Sequence, residues 1–197
     1  GKGTIAQMLA LELNWNILDS GALYRTLAYF MKENEITLDN FEGNRDFISS
    51  KFNVSFDAGI PGEPVRVLFE DKDITSIIRT EEMAKLTSNL AAEPLIREFI
   101  KPCQRDFMVA PGLIADGRDM GTVIFSDAKH KIFLTASVEE RAKRRQTQLK
   151  RQGMEVNMPS LLQELGDRDQ KDMERKHSPL VPAQDSILID TSNLNPE

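Results

Sequence analysis

One cysteine, Cys103, stands among 197 residues, which excludes an internal disulfide framework and suits a reducing cytoplasm. No apolar run approaches the ~18 residues of a membrane span, and no signal peptide is visible. Repeats and low-complexity segments are missing. So is an excess of positive charge: the net charge is -6, which argues against nonspecific nucleic-acid binding, and there is no stripe of interleaved aromatic and basic residues. Only two histidines occur, His130 and His177, and neither is paired with a catalytic partner, so surface or structural roles are expected of them. What remains is ordinary for a globular domain, with 28% charged and 40% hydrophobic residues. The length fits one domain with small subdomains and a proper core.

An anionic ligand of this acidic chain must be held by local basic clusters, and the chain has them. Arg141, Lys143, Arg144, Arg145, Lys150 and Arg151 fall in one helical stretch, and Arg168, Lys171, Arg175 and Lys176 in another. Solvated helix faces with Glu139, Glu140 and Asp169 would look similar. Arg at the repeated positions suits forked phosphate contacts.

The chain opens on Gly1-Lys2-Gly3-Thr4, the last residues of a Walker-type loop, G-x-x-x-x-G-K-S/T, with one extra Gly before the hydroxyl. Backbone N–H groups and a Lys aimed at phosphate oxygens are what a nucleoside triphosphate requires. The spacing of Ile5, Met8, Leu9 and Leu13 predicts a helix over 4–13, so the loop runs into a helix N-terminus, which favours anions. The upstream glycines and the strand before them do not precede Gly1, so the chain as it stands is expected to lack a complete ATP site.

Short apolar strands alternate with helices. Strands are predicted near 16–18, 113–115, 131–134 and 186–189, and a helix over 22–33 from Leu23, Leu27, Phe30 and Met31. The pattern implies an α/β fold, a parallel sheet with helices on both faces, whose ligands sit outside the carboxyl ends of the strands. Asp19-Ser20, Asp116-Gly117-Arg118-Asp119 and Asp190-Thr191-Ser192 fall at that edge. Residues 51–78 break the alternation: Phe52–Phe56 and Val65–Phe69 flank Gly59-Ile60-Pro61-Gly62 and predict an inserted antiparallel hairpin. Helices are expected over 80–91 and 95–109. The chain stops soon after its last strand, and a final packing helix is expected to be missing.

Three constellations carry chemistry. Ser20 is placed to cap the helix from 22, with Asp19 favouring its positive end; Tyr24 and Arg25, about one turn in, are able to hold a second anionic substrate. Asp116, Arg118 and Asp119 crowd around a glycine at a strand end, which is costly unless they face solvent or a ligand. Arg168, Asp172 and Arg175, spaced i, i+4, i+7, share one helical face and read as two Arg forks on a common Asp.

Taken together, these segments resemble the bacterial cytidylate kinases of the nucleoside monophosphate kinase superfamily. The resemblance runs through Gly-Lys-Gly-Thr at 1–4, Leu-Asp-Ser-Gly-Ala-Leu-Tyr-Arg at 18–25 and Gly-Leu-Ile-Ala-Asp-Gly-Arg-Asp-Met-Gly-Thr-Val-Ile-Phe at 112–125. It continues through Glu-Glu-Arg-Ala-Lys-Arg-Arg at 139–145, the Arg-Asp-x-x-Asp-x-x-Arg face at 168–175 and Ser-Pro-Leu-Val-Pro-Ala at 178–183, collinear over essentially the whole chain.

The resemblance implies a P-loop kinase that moves the ATP γ-phosphoryl group to CMP or dCMP with Mg²⁺. It implies a core of 1–28, 110–146 and 160–197, a monophosphate-binding subdomain at 29–109 that includes the hairpin, and a lid at 147–159. Gly1, Lys2, Gly3 and Thr4 would wrap the ATP phosphates, with Thr4 near Mg²⁺, and Arg141 and Arg144 would approach from the lid side. Ser20, Tyr24, Arg25 and Asp116 fall to the acceptor site, while Ser88, Arg97 and Asp119 would select cytosine. Arg118 would bridge to the acceptor phosphate. Arg168 and Arg175 would neutralise the moving phosphoryl group, and Asp172 would contact the acceptor sugar. Gly166, inside a helical stretch, is read as a joint between lid and core. No nucleic acid or membrane is expected as partner, and a cytoplasmic monomer is the default. Two rivals stay open: a kinase of the same scaffold acting on AMP, UMP or shikimate, and a nucleotide-binding regulator without turnover.

Overall fold

Runs of two or three apolar residues, each followed by an acidic or hydroxyl residue, become the parallel strands. The computed structural model describes residues 1–60, 62–151, 153, 155–174 and 178–194, the side chains of 148 and 151 apart. The chain divides into two compact units, Gly1–Gly117 and Arg118–Glu197.

In the first unit, helix α1 (Lys2–Leu13) leads through Asn14, in the left-handed conformation that closes a helix, into strand β1 (Asn16–Asp19). Helix α2 (Ser20–Glu33) follows with no intervening turn. A short turn of 3-10 helix (Glu42–Asn44) and helix α3 (Arg45–Lys51) precede strands β2 (Val54–Asp57), β3 (Arg66–Phe69) and β4 (Lys72–Asp73). These three form an antiparallel sheet in the order β2-β3-β4. The predicted hairpin is therefore present, with a short third strand that two polar residues did not signal. Helix α4 (Thr75–Ile78) leads to α5 (Glu81–Leu90), capped by the Thr80 hydroxyl, which accepts from Met83 N at 3.3 Å. Helix α6 (Pro94–Arg105) starts on the proline, which suits a first helical turn, and ends four residues before the expected 109.

Strand β5 (Leu113–Asp116) pairs in parallel with β1, and the register sets Asp19 opposite Asp116. The Asn16 amide donates to the carbonyls of Val109, Ala110 and Gly112, and so fixes where β5 begins. The core of this unit is built from Leu18, Leu23 and Leu27 with Ile78, Ile96 and Ile100, all buried. A cluster of Phe30, Phe52, Phe69 and Phe99 joins the hairpin to α2 and α6, with ring centroids 5.7–6.5 Å apart.

In the second unit, a π-helical turn (Met120–Ile124) precedes strand β6 (Ile132–Thr135) and helix α7 (Val138–Arg151). Helix α8 (Met158–Met173) is capped by Asn157, whose side chain accepts from Ser160 N at 3.2 Å, and strand β7 (Ile187–Asp190) pairs in parallel with β6. Helices α7 and α8 pack together, with Ala142, Leu149 and Leu161 buried. Ile132, Ile187 and Leu188 of the strand pair are exposed. The α/β expectation holds, with parallel strands, helices against them and a small antiparallel sheet.

Helix α8 runs unbroken through Gly166 to Met173 and carries Arg168 and Asp172. Arg175, with Lys176, His177, Pro61 and 195–197, lies outside the described residues.

Candidate active site

Gly1 forms the N-cap of α1, and Lys2, Gly3 and Thr4 make its first turn. The helix end and the Lys are thus presented together, as phosphate binding requires. The Lys2 ammonium is ion-paired with the Asp116 carboxylate at the end of β5. A Cβ on Gly3 would stand 3.4 Å from the other oxygen of that carboxylate. Asp116, read from sequence as an acceptor residue, is thus set against Lys2 and Gly3.

Opposite it, Asp19 closes β1. Its Oδ1 accepts from Ala22 N at 2.9 Å, so Asp19, rather than Ser20, caps α2. Ser20 is already helical, and its hydroxyl oxygen accepts from Gln104 Nε2 at 2.8 Å. Asp19 Oδ2 accepts from Arg79 at 3.2 Å, and Arg79 also donates to the Val65 carbonyl at 3.1 Å. Two carboxylates at neighbouring strand ends thus carry a cation each, which offsets their mutual repulsion. Arg79 was missed in the sequence, because it stands after the insert and in no motif. Only the paired strand shows that it faces the same edge.

The acceptor-side candidates gather around α2. Tyr24 is buried, and the Arg97 guanidinium lies 5.8 Å from its ring centroid, a cation–π arrangement. Arg97 also donates to Ala91 O at 3.0 Å. Arg25 donates to Ile78 O at 3.0 Å and Thr80 O at 3.5 Å, on either side of Arg79. Ser88 is half-buried on α5. The structure thus brings Tyr24 and Arg97 together, and places Arg25 on the segment that carries Arg79.

Gly117 ends the first unit, and Arg118 and Asp119 open the second. Asp119 is buried just before the π-helical turn, and its carbonyl accepts from both Val123 N and Ile124 N, at 2.9 and 3.2 Å. Such turns concentrate at functional sites. Arg118 is ion-paired with the buried Asp172 of α8. Asp172, expected to serve two Arg of its own helix, pairs with an Arg 54 positions earlier in the chain. Arg168 is exposed on α8.

On α7, Arg141 pairs with Asp169 of α8 at 2.5 Å. Arg144 pairs with Glu140 at 3.0 Å and donates to Thr191 O at 2.6 Å and Leu194 O at 3.3 Å. It thereby holds the loop after β7. In that loop Asp190 accepts from Ser192 Oγ at 2.6 Å and Ser192 N at 2.8 Å. These two hydrogen bonds, the hydroxyl's first, hold its carboxyl below the usual range.

Among the described residues no group of three or more His, Cys, Asp or Glu side chains is placed to hold a metal ion. Mg²⁺ needs no such cage, since it takes one or two protein oxygens and completes its shell with water and phosphate. The hydroxyl of Thr4, and a carboxylate set against the two residues before it, have the right donor chemistry. No helix among the described residues is long and apolar enough to cross a membrane.

The chain has close relatives among known proteins. Over 193 residues the chain is 49% identical to a cytidylate kinase of Shewanella sp. (strain MR-4), covering 98% of this chain and 84% of that protein. Over 192 residues it is 49% identical to the cytidylate kinase of Shewanella baltica (strain OS155 / ATCC BAA-1091), covering 98% and 83%. A family model described as cytidylate kinase matches residues 1–197. With the motifs, the fold and this whole-length match in agreement, the chain belongs to the cytidylate kinase family.

Proposed function

We propose that this nucleoside monophosphate kinase moves the γ-phosphoryl group of ATP to the phosphate of CMP or dCMP, giving ADP and CDP or dCDP. The observation that carries the reading is Lys2 at the N-terminus of α1, held by Asp116 at the carboxyl end of β5. There the chain has a cation, a helix end and a hydroxyl in one turn, matched to a triphosphate.

An oxygen of the acceptor phosphate attacks the γ-phosphorus, the bond from that phosphorus to the β–γ bridging oxygen breaks, and ADP leaves with the electron pair. Such a transfer needs positioning and dispersal of charge, with no protein nucleophile. Lys2 takes donor phosphate charge, and Arg25 and Arg118 take that of the acceptor. Arg141, Arg144, Arg168 and Arg175 serve the donor and the transferring group. The Thr4 hydroxyl would hold Mg²⁺, which would supply further neutralisation of the donor phosphate charge. Ser88, Arg97 and Asp119 read the cytosine. The segment 147–159 acts as a lid that keeps water from the γ-phosphate. The enzyme works as a cytoplasmic monomer in pyrimidine nucleotide metabolism.

The test is a coupled ADP-release assay with ATP and Mg²⁺ on CMP, dCMP, UMP and AMP, run on this chain and on a form carrying a complete phosphate loop. Turnover on CMP and dCMP is expected. Turnover mainly on UMP or AMP would discard the base-recognition residues, and CMP binding with no turnover in either form would favour a regulator.

A further inference from the structure

Ser20 and Gln104 form a buried pair whose amide has no part in the phosphoryl transfer described above. Ser20 opens α2 and is 4% exposed, while Gln104, in the last turn of α6, is fully buried. Gln104 Nε2 donates to Ser20 Oγ at 2.8 Å. The other end of the same amide, Oε1, is buried without a hydrogen-bond partner. Leaving such a carbonyl unsatisfied works against folding, and a methionine of similar shape would fill the space without that penalty. The amide is therefore a poor choice for stability alone.

The hydrogen bond also has a direction. An amide nitrogen only donates, so Ser20 Oγ must accept from it. Its single hydroxyl proton is then left for another acceptor, and no described residue takes it. Ser20 directly follows Asp19 at the carboxyl end of β1, the edge where ligands of parallel sheets bind. It stands one turn before Tyr24 and Arg25 on the same helix. A hydroxyl whose lone pair is occupied from behind is committed to donate forward, to an acceptor-rich group such as a nucleotide phosphate. A serine free to turn would lose part of that binding energy to rotation or to an unproductive contact.

We propose that Gln104 is a positioning residue for the acceptor nucleotide: it orients the Ser20 hydroxyl as a hydrogen-bond donor to the nucleoside monophosphate. The inference rests on the reading of Ser20 as an acceptor-site residue. Gln104 itself touches no substrate and acts only through Ser20.

The experiment measures the affinity of the full chain for CMP by calorimetry, with melting temperature alongside, for Gln104→Met, Gln104→Leu, Ser20→Ala, Ser20→Thr and the double variant Gln104→Met with Ser20→Ala. Gln104→Met is expected to melt no lower than the parent yet bind CMP about tenfold more weakly, a loss of about 1.4 kcal/mol. Gln104→Leu should weaken CMP similarly. Ser20→Thr, which keeps the hydroxyl, should stay within about threefold of the parent, and Gln104→Met should add nothing in the Ser20→Ala background. Unchanged CMP affinity in Gln104→Met, with Ser20→Ala weakened, overturns the positioning role and leaves the acceptor-site reading intact. So does a Gln104→Met variant that melts lower and weakens the Ser20→Ala protein further, since the amide would then be packing. Parental affinity in Ser20→Ala overturns both, and a parent chain that fails to bind CMP overturns the function with them.

Discussion

Arg118 and Asp172 are joined by an ion pair in which the carboxylate is buried and the guanidinium is about a quarter exposed. Asp172 also accepts, through its backbone carbonyl, from Leu180 N at 2.9 Å, so one residue secures both the Arg and the segment after α8. Replacing Asp172 by Asn removes the charge but not the volume. Because Arg118 retains access to water, the expected loss is about 1–3 kcal/mol, less than for a fully buried pair. Urea unfolding measures it, and an unchanged midpoint would show that the pair adds nothing.

Arg118→Ala and Arg168→Ala are expected to lower kcat by ~100-fold or more, roughly 2.7 kcal/mol of transition-state stabilisation. Arg118→Ala should also lose stability, through its ion pair with Asp172. Steady-state kinetics beside thermal melts separates the two. Near-normal turnover in either variant removes that residue from the mechanism.

Arg97→Ala should abolish the preference for CMP over UMP. The same change removes the guanidinium from the Tyr24 ring, about 0.5–1 kcal/mol of local stability. Competing the two nucleotides at equal concentration reads the preference directly. If it persists, cytosine is read elsewhere.

Gly112→Ala and Gly166→Ala should move stability in opposite directions. A Cβ on Gly112 would come within 2.4 Å of the Trp15 ring, so overpacking of about 1–3 kcal/mol is expected. A Cβ on Gly166 meets nothing within 4 Å, and Ala in mid-helix should add up to about 1 kcal/mol. Thermal melts of both variants test this. A stabilised Gly112→Ala would mean that Trp15 swings aside at no cost.

Acid should remove the contribution of Asp73. Hydrogen bonds from Thr75, then the Arg66 guanidinium, hold its carboxyl below the usual carboxylate value. A group lowered on folding stabilises the protein above its unfolded value, and that contribution disappears as pH falls through the lowered one. The parent should therefore exceed Asp73→Asn in stability at neutral pH, and the gap should close below about pH 4. A gap that widens in acid would contradict the assignment.

Much of this molecule was legible because its strands are short and apolar and its helices carry local signals. Leu113-Ile114-Ala115 and Ile187-Leu188-Ile189 announce themselves by composition, and the spacing of Leu23, Leu27, Phe30 and Met31 announces α2. Gly1-Lys2-Gly3-Thr4 was readable as a motif. What stayed hidden depends on contacts distant in the chain. Asp19 rather than Ser20 caps α2, and Gln104 of α6 donates to the serine oxygen from 84 positions away. Arg79 lacks a motif, and its place at the edge exists only once β1 is folded beside it. The pairing of Asp172 with Arg118, 54 positions earlier, is likewise invisible to a periodicity argument.

The register that sets Asp19 against Asp116 limits how this chain tolerates changes of length. Trp15 is the only residue between the closing turn of α1 and the start of β1, and Asn16 grips three carbonyls of the loop entering β5. One residue inserted at Trp15 would slide β1 by a step. Ile17 and Leu18 would exchange faces, and the Asp19 and Asp116 carboxylates would part. Gene variants of this family should therefore gain and lose residues freely around 34–44, after α2, and almost never at 14–16 or 109–112. Where such a gap does occur, it should come as a compensated pair, one in each segment.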